Sequence, residues 1–569
     1  MKKAVSLLLA MMLLVGLMPL ALAEGGGTLK LVTSDDLETM NQHLYKFGNT
    51  RTFLQMVGGA LYRVAPGEEG NGYRLIAEYA ESDPQKMDEE GFVWRIKVKD
   101  GMKWANGEPL TAEDFAYSLK MLFDPLLVNR RYNVPEESNI FIKNGAKYFA
   151  NEPGITWDDV GVKVVENNTL ELTLEKAVDM GSVKYCFTGA TTMPVYQPLY
   201  DGNMNAEKTE TKYGTSVERY MSSGPMMLTS WTSGTEFSAV RNPYYPLQDL
   251  ISLEAVEFTV VPDRGTALQL FETGAVDSAT LSVADLEQYR DDPRVIMVKS
   301  DASTCLGINL ISEENPALGN KSFRQALYYG VNREEVAKIA NADPVTWYIS
   351  AGYISDLGSG LSYRDTPEAK AYLPENHGYN PEKAKALFEQ ALKELGVDKV
   401  SFQLLYQDGT SSRKPVSEYL QSAWPKLFGE DKLSISLQAV PANQLSEQYR
   451  DHINNKNSFQ TGWIASRYNL LDPASALSEW SAKGHRKKIP YYSEEFTAVF
   501  DDLVATSLED IQARIEKTAK AEAIMLDDAP MIPIYEENSY TIVSDRVHLA
   551  FNEYNGVLGM GWIFAQIEK

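Results

Sequence analysis

The location of this protein is constrained most strongly by a single apolar run at the N-terminus of the sequence. Met1-Lys2-Lys3 is positively charged, residues 4–20 are almost wholly apolar, and Ala21-Leu22-Ala23 fits the small-x-small pattern that precedes a cleavage site. The alternative is a retained membrane anchor, but the run is only marginally long enough to span a bilayer core of ~30 Å. We therefore predict that residues 1–23 are a cleaved secretory signal.

The remainder of the chain has no second run of ~20 consecutive apolar residues, which predicts that the mature protein does not span a membrane. No cysteine lies near the expected cleavage point, so a lipid-modified cysteine is not expected to tether it. The sequence therefore predicts a secreted protein, either periplasmic or associated with the cell surface.

Length and charge narrow the class of protein further. A chain of 569 residues allows two to four domains. It carries 54 Lys and Arg against 78 Asp and Glu, a net charge of −24, which argues against nucleic acid as a partner because that needs a basic footprint. Cys186 and Cys305 match no zinc or CxxC spacing and allow at most one disulfide.

Local patterns predict a mixed α/β chain without internal repeats. Residues 161–175 alternate about Asn167-Asn168, which predicts a hairpin. Helices are predicted to start where a capping residue precedes an apolar stripe, and other runs are predicted as strands. The caps are Thr111, Asn332 and Asn380; the strand runs are Phe92–Val98, Ala255–Val261 and Phe402–Tyr406. Their irregular order argues against a regular (β/α) barrel.

No catalytic or metal-binding pattern is found in the sequence. The five histidines are scattered without an HxxxH or HxH pair, and no GxSxG, GxxxxGK[ST] or strand-linked GxGxxG motif occurs. We therefore predict no catalytic residue, no metal and no cofactor. A secreted hydrolase is the enzyme alternative, because the two carboxylates of a glycosidase need not be close in sequence.

The segment from Trp94 to Phe115, WRIKVKDGMKWANGEPLTAEDF, resembles the signature of the family 5 extracellular solute-binding proteins, the oligopeptide-binding components of ABC importers. The resemblance continues in family order over nearly the whole mature chain. The further matching segments are 75–82, 223–244, 270–277, 308–333, 379–396, 462–463 and 530–535.

The resemblance implies an α/β fold of the periplasmic-binding-protein type, a two-lobed clamshell with mixed sheets, hinge strands and an inserted subdomain. It implies a discontinuous lobe 1, an inserted subdomain, a lobe 2 and a monomeric protein. The expected bounds are 24–62, 192–302 and 533–569 for lobe 1, 63–191 for the inserted subdomain, and 303–532 for lobe 2.

The same resemblance implies a binding protein that performs no chemistry. An oligopeptide would lie extended between the lobes, pair with protein backbone as an added strand, and be delivered to the permease subunits of an ABC importer. Two alternatives stay open. In one, the same fold binds another solute, such as an oligosaccharide, an opine-like compound or a metal chelate; in the other, the protein is a peptide-sensing receptor without uptake.

Site residues are implied only by the resemblance. Trp463 stands at the family's cleft tryptophan, and Thr33, Ser34 and Asp35 stand where a family strand offers backbone groups to the peptide. Arg450 is a candidate for a ligand carboxylate.

One position departs from the family pattern. Peptide binders place an aspartate three residues after the cleft tryptophan to pair with the ligand's α-amine, and this chain has Ser466 there. Either another acid receives the amine or the ligand presents none; the candidate acids are Asp35, Asp36 and Asp472. The cysteines of the disulfide seen in some members are also replaced, by Ala302 and Ile464, so Cys186 and Cys305 are expected to be separate thiols.

Overall fold

The computed structural model describes residues 27–46, 48–67, 72–289, 291–407, 412–452, 454–465, 471–481, 489–551 and 559–568. The predicted signal, residues 1–23, lies outside the described residues, and so does Ser466. Within the described part, every helix is too short or too polar to cross a membrane.

Two sheets form from segments far apart in the sequence. In the first, Thr28–Thr33 runs parallel to Ala255–Val260, and antiparallel strands Glu236–Arg241 and Met226–Thr232 follow in that order. The second sheet places Ser539–Val543 between two partners, Ser278–Leu281 and Val295–Val298. One core unites Leu29, Phe237 and Phe564, so the N-terminal, middle and C-terminal segments are packed together.

The inserted segment has its own sheet and core. Its strands lie in the order Gln85–Lys86, Val93–Lys97, Thr169–Thr173 and Val162–Val165. Trp104 and Phe115 are buried in this second core. A hairpin of Tyr62–Pro66 and Tyr73–Ala77 leads into it.

The third unit contains a six-stranded mixed sheet. Its strands lie in the order Asp343–Pro344, Met531–Glu536, Thr304–Ile308, Thr461–Ile464, Val400–Gln407 and Leu433–Val440. Helices cover it, and Phe323, Phe388 and Trp424 are buried in its core. We keep the names lobe 1, inserted subdomain and lobe 2 for these three units; their exact bounds stay a prediction.

The α-helices and the remaining short strands have the following bounds. The helices are Gly48–Val57, Ala112–Leu122, Val134–Glu137, Gly145–Phe149, Met180–Cys186, Gln197–Gly202, Arg264–Glu272, Val283–Tyr289, Lys321–Tyr329, Arg333–Ala340, Pro367–Lys370, Pro381–Leu395, Arg413–Phe428, Ala442–Asp451, Glu494–Val504 and Ile511–Asp528. The short strands are Ile354–Asp356, Leu361–Ser362, Val547–His548 and Gln566–Ile567.

The local predictions are confirmed. The hairpin turns through residues 166–168, where Asn167 and Asn168 have positive φ of 60° and 57°. Thr111 forms a capping box, and Asn380 accepts a hydrogen bond from the third amide of its helix. Cys186 and Cys305 are both buried free thiols.

The chain passes between lobes 1 and 2 at two adjacent points. It leaves lobe 1 after Val298 and returns after Glu536. The Ser300 amide donates to the Asn538 side-chain oxygen at 2.8 Å, and the Ser303 hydroxyl donates to Glu536. The two crossing segments are therefore bonded to each other and form the connection about which the lobes can move.

Candidate ligand-binding cleft

The strand Thr28–Thr33 lies at the edge of its four-stranded sheet in lobe 1. Toward its paired strand, the Thr33 carbonyl accepts from the Val261 amide at 2.8 Å. On the other side, the Lys30 amide donates to the Asp277 carboxylate at 2.8 Å, and the Asp277 amide donates to the Lys30 carbonyl at 2.7 Å. Asp277 thus occupies the first part of the free edge.

The later part of this edge is left unpaired. Successive residues of a strand turn their backbone groups to opposite sides, so Val32 faces the same way as Lys30. In the described part of the chain, no strand pairs with this side of Thr28–Thr33. The backbone groups of Val32 are therefore placed to accept an added strand.

The predicted residues Thr33, Ser34 and Asp35 form one turn. The Asn49 side chain donates to the Asp35 carbonyl at 2.9 Å, and the Thr33 hydroxyl donates to the same carbonyl at 3.1 Å, which fixes the backbone. Ser34 and Asp35 are exposed, and the Ser34 hydroxyl donates to the Asp35 carboxylate at 2.8 Å. Asp35 therefore presents a carboxylate to solvent from a fixed turn.

Asp36, in contrast, is occupied by the protein itself. Its carboxylate accepts from the Ser233 hydroxyl at 2.6 Å, the Gly234 amide at 2.7 Å and the Trp231 indole at 3.1 Å. Burial raises the pKa of Asp36, but these donors lower it by more, so the pKa lies below its ordinary value. Asp36 fastens the turn to a neighbouring hairpin and has little capacity for a ligand amine.

Trp463 lies in the core of lobe 2. It is 4% exposed, and its indole N–H donates to the Ser417 hydroxyl at 2.9 Å. Its strand, Thr461–Ile464, runs between an antiparallel and a parallel neighbour. Trp463 lies in the six-stranded sheet of lobe 2, whereas Thr33 ends a strand of the four-stranded sheet of lobe 1, so these two predicted elements lie in different lobes.

Arg413 was not identified from the sequence, yet it lies directly over Trp463. The centre of its guanidinium is 5.2 Å from the Trp463 ring centroid, and its Nη1 donates to the Tyr535 hydroxyl at 2.6 Å. Arg413 is half-buried and forms no ion pair with any residue that the structure describes. Nothing in the local sequence marks this residue, because its two partners lie on strands distant in the chain.

The remaining predicted residues are less informative. Arg450 lies in the helix Ala442–Asp451, but its side chain is outside the described residues, as is Ser466. Asp472 accepts from Arg514 Nη2 at 2.7 Å and from the Ala474 amide at 3.2 Å. Asp472 is therefore a paired helix-capping residue.

Two cavities lie between the inserted subdomain and lobe 2, with volumes of about 320 and 630 Å³. Both are lined by residues of both units, and the two linings share Tyr185, Asp472, Leu508 and Arg514. Volumes of about 300–1,000 Å³ are typical of ligand pockets. Among the predicted residues that the structure describes, Asp472 lines both cavities, whereas Trp463 and the Thr33–Asp35 turn line neither.

Comparison with known proteins establishes the family. Residues 74–488 match the family model described as bacterial extracellular solute-binding proteins, family 5 Middle. This chain belongs to family 5 of the bacterial extracellular solute-binding proteins. The match extends over most of the sequence, including the signature-like segment and Trp463, and it confirms the resemblance on which the predicted function rests.

Alignments with curated relatives extend over most of this family 5 chain. The dipeptide-binding protein DppE of Bacillus subtilis (strain 168) is 24% identical over 488 residues, covering 85% of this chain and 83% of that protein. A dipeptide-binding protein of Lactococcus lactis subsp. cremoris (strain MG1363) is 27% identical over 479 residues, covering 81% of each.

Solved structures confirm the predicted fold of the family 5 chain. The substrate-binding domain of an oligopeptide ABC transporter from Bacillus anthracis str. Ames has a TM-score of 0.70 at 19% identity, covering 95% of this chain and 99% of that one. OppA of Listeria monocytogenes bound to peptide has a TM-score of 0.68 at 21% identity, covering 96% and 100%. The chain therefore has the α/β two-lobed clamshell with mixed sheets.

Proposed function

We propose that this protein captures oligopeptides between its two lobes and delivers them to an ABC importer. The proposal draws on family membership and on relatives that are named as dipeptide- and oligopeptide-binding proteins. The permease subunits of the importer are the proposed partners. The protein is proposed to act as a monomer in the periplasm or at the cell surface, after removal of residues 1–23.

The observation that carries this proposal is the edge of Thr28–Thr33 at Val32, with which no described strand pairs. Its backbone donors and acceptors match an extended peptide and do not match a saccharide ring or a metal chelate, since only a peptide supplies the complementary spacing of a strand. A peptide added there would continue the four-stranded sheet of lobe 1.

Two charged side chains are proposed to orient the peptide. Asp35 is an exposed anion on the lobe 1 turn, and it replaces the missing aspartate at Ser466 as the partner of the ligand amine. Arg413 is a cation over Trp463 in lobe 2, without an ion pair to any residue that the structure describes. It is proposed to receive a ligand carboxylate, since a guanidinium can bind a carboxylate through two donors.

No reaction is proposed for the bound peptide. Within the described residues, no group of three or more His, Cys, Asp and Glu side chains is placed to hold a metal ion. The proposed role requires binding and release alone, by movement of the lobes about the segments that cross at Ser303 and Glu536.

The test begins with native mass spectrometry of the gently purified protein. A ladder of heterogeneous peptide masses released on denaturation supports the proposal, and a single non-peptide mass overturns it. Binding of alanine pentapeptide is then compared with that of analogues in which one amide is replaced by an ester. Loss of one backbone donor should weaken binding about 2- to 10-fold at the paired positions. Equal affinity for all analogues would exclude strand addition.

A further inference from the structure

The carboxylate of Asp179 in the inserted subdomain forms hydrogen bonds with lobe 2. Asp179 Oδ2 accepts from the Leu508 amide at 2.6 Å and from the Ser507 hydroxyl at 2.9 Å. Its Oδ1 accepts from the Ser182 amide at 2.7 Å and so caps the helix Met180–Cys186 of the inserted subdomain. One oxygen therefore stabilises the local helix, and the other reaches residues 328 and 329 positions away.

The carboxylate of Asp179 is well suited to this bridge. Burial raises its pKa, but the amides of Ser182 and Leu508 and the hydroxyl of Ser507 lower it by more, so the pKa lies below its ordinary value. The group is thus ionised at neutral pH, and hydrogen bonds to a charged acceptor are among the stronger ones in proteins.

The bridge is placed between the two cavities described above. Leu508 lines both of them, while Asp179 itself lines the larger one. Beyond the smaller cavity, the inserted segment touches lobe 2 again, where the Tyr73 amide donates to the Leu357 carbonyl. Both cavities are thus enclosed by contacts that exist only while the inserted subdomain and lobe 2 are together.

Comparison with another capping aspartate shows what is special about Asp179. Asp263 also caps a helix, by accepting from the Thr266 amide and hydroxyl, each at 2.8 Å. Both of those donors belong to its own helix, Arg264–Glu272. Capping alone therefore does not account for the second oxygen of Asp179.

We propose that Asp179 is a latch that holds the inserted subdomain, and with it lobe 1, against lobe 2, and thereby keeps the lobes closed on the bound ligand. The proposal deepens the proposed function and rests on it for the nature of the ligand. It gives the inserted subdomain a direct part in retaining ligand, and makes Asp179 a positioning residue that controls the rate of ligand release.

The experiment separates the latch from the helix cap with two variants. Asp179→Asn keeps a good capping side chain but removes the charge, and Ser507→Ala removes one donor from lobe 2 without touching the cap. Asp263→Asn is the matched control. Spin labels are attached at Glu152→Cys and Lys520→Cys, which are exposed, whereas the native thiols are buried. The distance between the labels is measured by pulsed electron paramagnetic resonance.

Asp179→Asn and Ser507→Ala should broaden the distance distribution toward longer values, and Asp263→Asn should match the unsubstituted protein. For alanine pentapeptide, Asp179→Asn should speed dissociation about tenfold, with a smaller effect of Ser507→Ala. Distributions that coincide for all variants, or an equal change in the Asp263→Asn control, would overturn the latch. If alanine pentapeptide does not bind to the unsubstituted protein, the proposed peptide ligand fails, while the distance measurement still decides the latch.

Discussion

At the scale of single residues, the difference between Asp35 and Asp36 decides where a ligand amine can bind. Asp36 is surrounded by donors from its own chain, whereas Asp35 is exposed and accepts from Ser34. We therefore expect Asp35→Asn to weaken the binding of alanine pentapeptide about tenfold, the loss typical of a hydrogen bond to a charged group. Isothermal titration calorimetry measures the change.

The control for this prediction is chemical as well as genetic. N-acetylated alanine pentapeptide has no charged amine, so Asp35→Asn should leave its affinity unchanged. Glu38→Gln, at a nearby exposed acid that pairs with Lys46 at 3.5 Å, should affect neither peptide. An equal loss for the free and acetylated peptides would show that Asp35 acts on something other than the amine.

A buried ion pair in the inserted segment supplies a second residue-scale prediction. Arg63 donates to Glu78 at 2.7 Å, and both side chains are almost completely buried. Glu78→Gln should destabilise the protein by about 3–5 kcal/mol, because the arginine would lose its charged partner inside the protein. The change is measured by urea denaturation.

The exposed pair of Lys97 and Glu81, at 2.8 Å, is the matched control. Glu81→Gln should cost no more than about 1 kcal/mol, since exposed ion pairs contribute little. Similar losses from both substitutions would contradict the argument that burial sets the cost.

At the scale of helices and strands, local patterns in the sequence predicted structure well. The cap at Asn380, the first-turn proline and the final Gly396 lie within one helix, so the helix Pro381–Leu395 is predicted from its own residues. The pairing of Thr28–Thr33 with Ala255–Val260 is different, because strand order depends on contacts between distant segments. The sequence predicts strands here but not their neighbours.

The candidate site could also be predicted only in part, because it too depends on contacts between segments that are distant in the sequence. Asp35 is predicted from the family resemblance, since it lies within a recognisable strand end. Arg413 is identified by its contacts with Trp463 and Tyr535, and Asp179 is identified by its hydrogen bond with Ser507. These contacts form only when the chain folds. No spacing in the sequence places these groups together, so only the structure identifies them.

The hairpin between Val162–Val165 and Thr169–Thr173 allows a prediction about how elements are joined. Asn168 accepts from the Ala112 amide at 2.8 Å and donates to the Val98 carbonyl at 3.1 Å, so its side chain ties the turn to the first residue of a helix. Asn168→Gly should destabilise the protein by about 1–2 kcal/mol although Asn-Gly is a favoured turn sequence.

Asn167→Gly is the matched control for that turn. Both asparagines have positive φ, which glycine adopts readily, but only Asn168 has the two side-chain bonds described above. We expect Asn167→Gly to be neutral or slightly stabilising in urea denaturation. A loss of equal size at both positions would mean that the turn conformation, and not the link to the helix, sets the cost.

At the scale of the whole molecule, the two lobes meet at crossing segments that share a buried carboxylate. Glu536 accepts from the Ser303 hydroxyl, from the Trp347 indole at 2.7 Å and from the Ala351 amide at 3.4 Å. The nearby cation is Arg364, which is itself paired with Glu522. Glu536 therefore joins both crossing segments to a third segment of lobe 2, and it has no direct ionic partner among the residues that the structure describes.

This arrangement predicts a pH dependence of stability. Burial raises the pKa of Glu536 to about 7, since the three donors and Arg364 only partly offset it. The folded state then binds more protons than the unfolded state between the ordinary pKa of 4.5 and about 7. The free energy of unfolding should therefore fall as pH rises through this window, by about 3 kcal/mol from this group, because one pKa unit corresponds to about 1.4 kcal/mol.

Glu536→Gln removes the titrating group while keeping a polar side chain at the crossing. The free energy of unfolding of this variant should lack the fall of about 3 kcal/mol that Glu536 causes between pH 4.5 and 7 in the unsubstituted protein. Urea denaturation across that pH range measures the change. Glu537→Gln, at the adjacent carboxylate that accepts from the Ser412 hydroxyl at 2.7 Å, controls for a general charge effect and should preserve the original slope. Parallel pH profiles for Glu536→Gln and the unsubstituted protein would show that the carboxylate at the crossing stays ionised, and that its three donors outweigh burial.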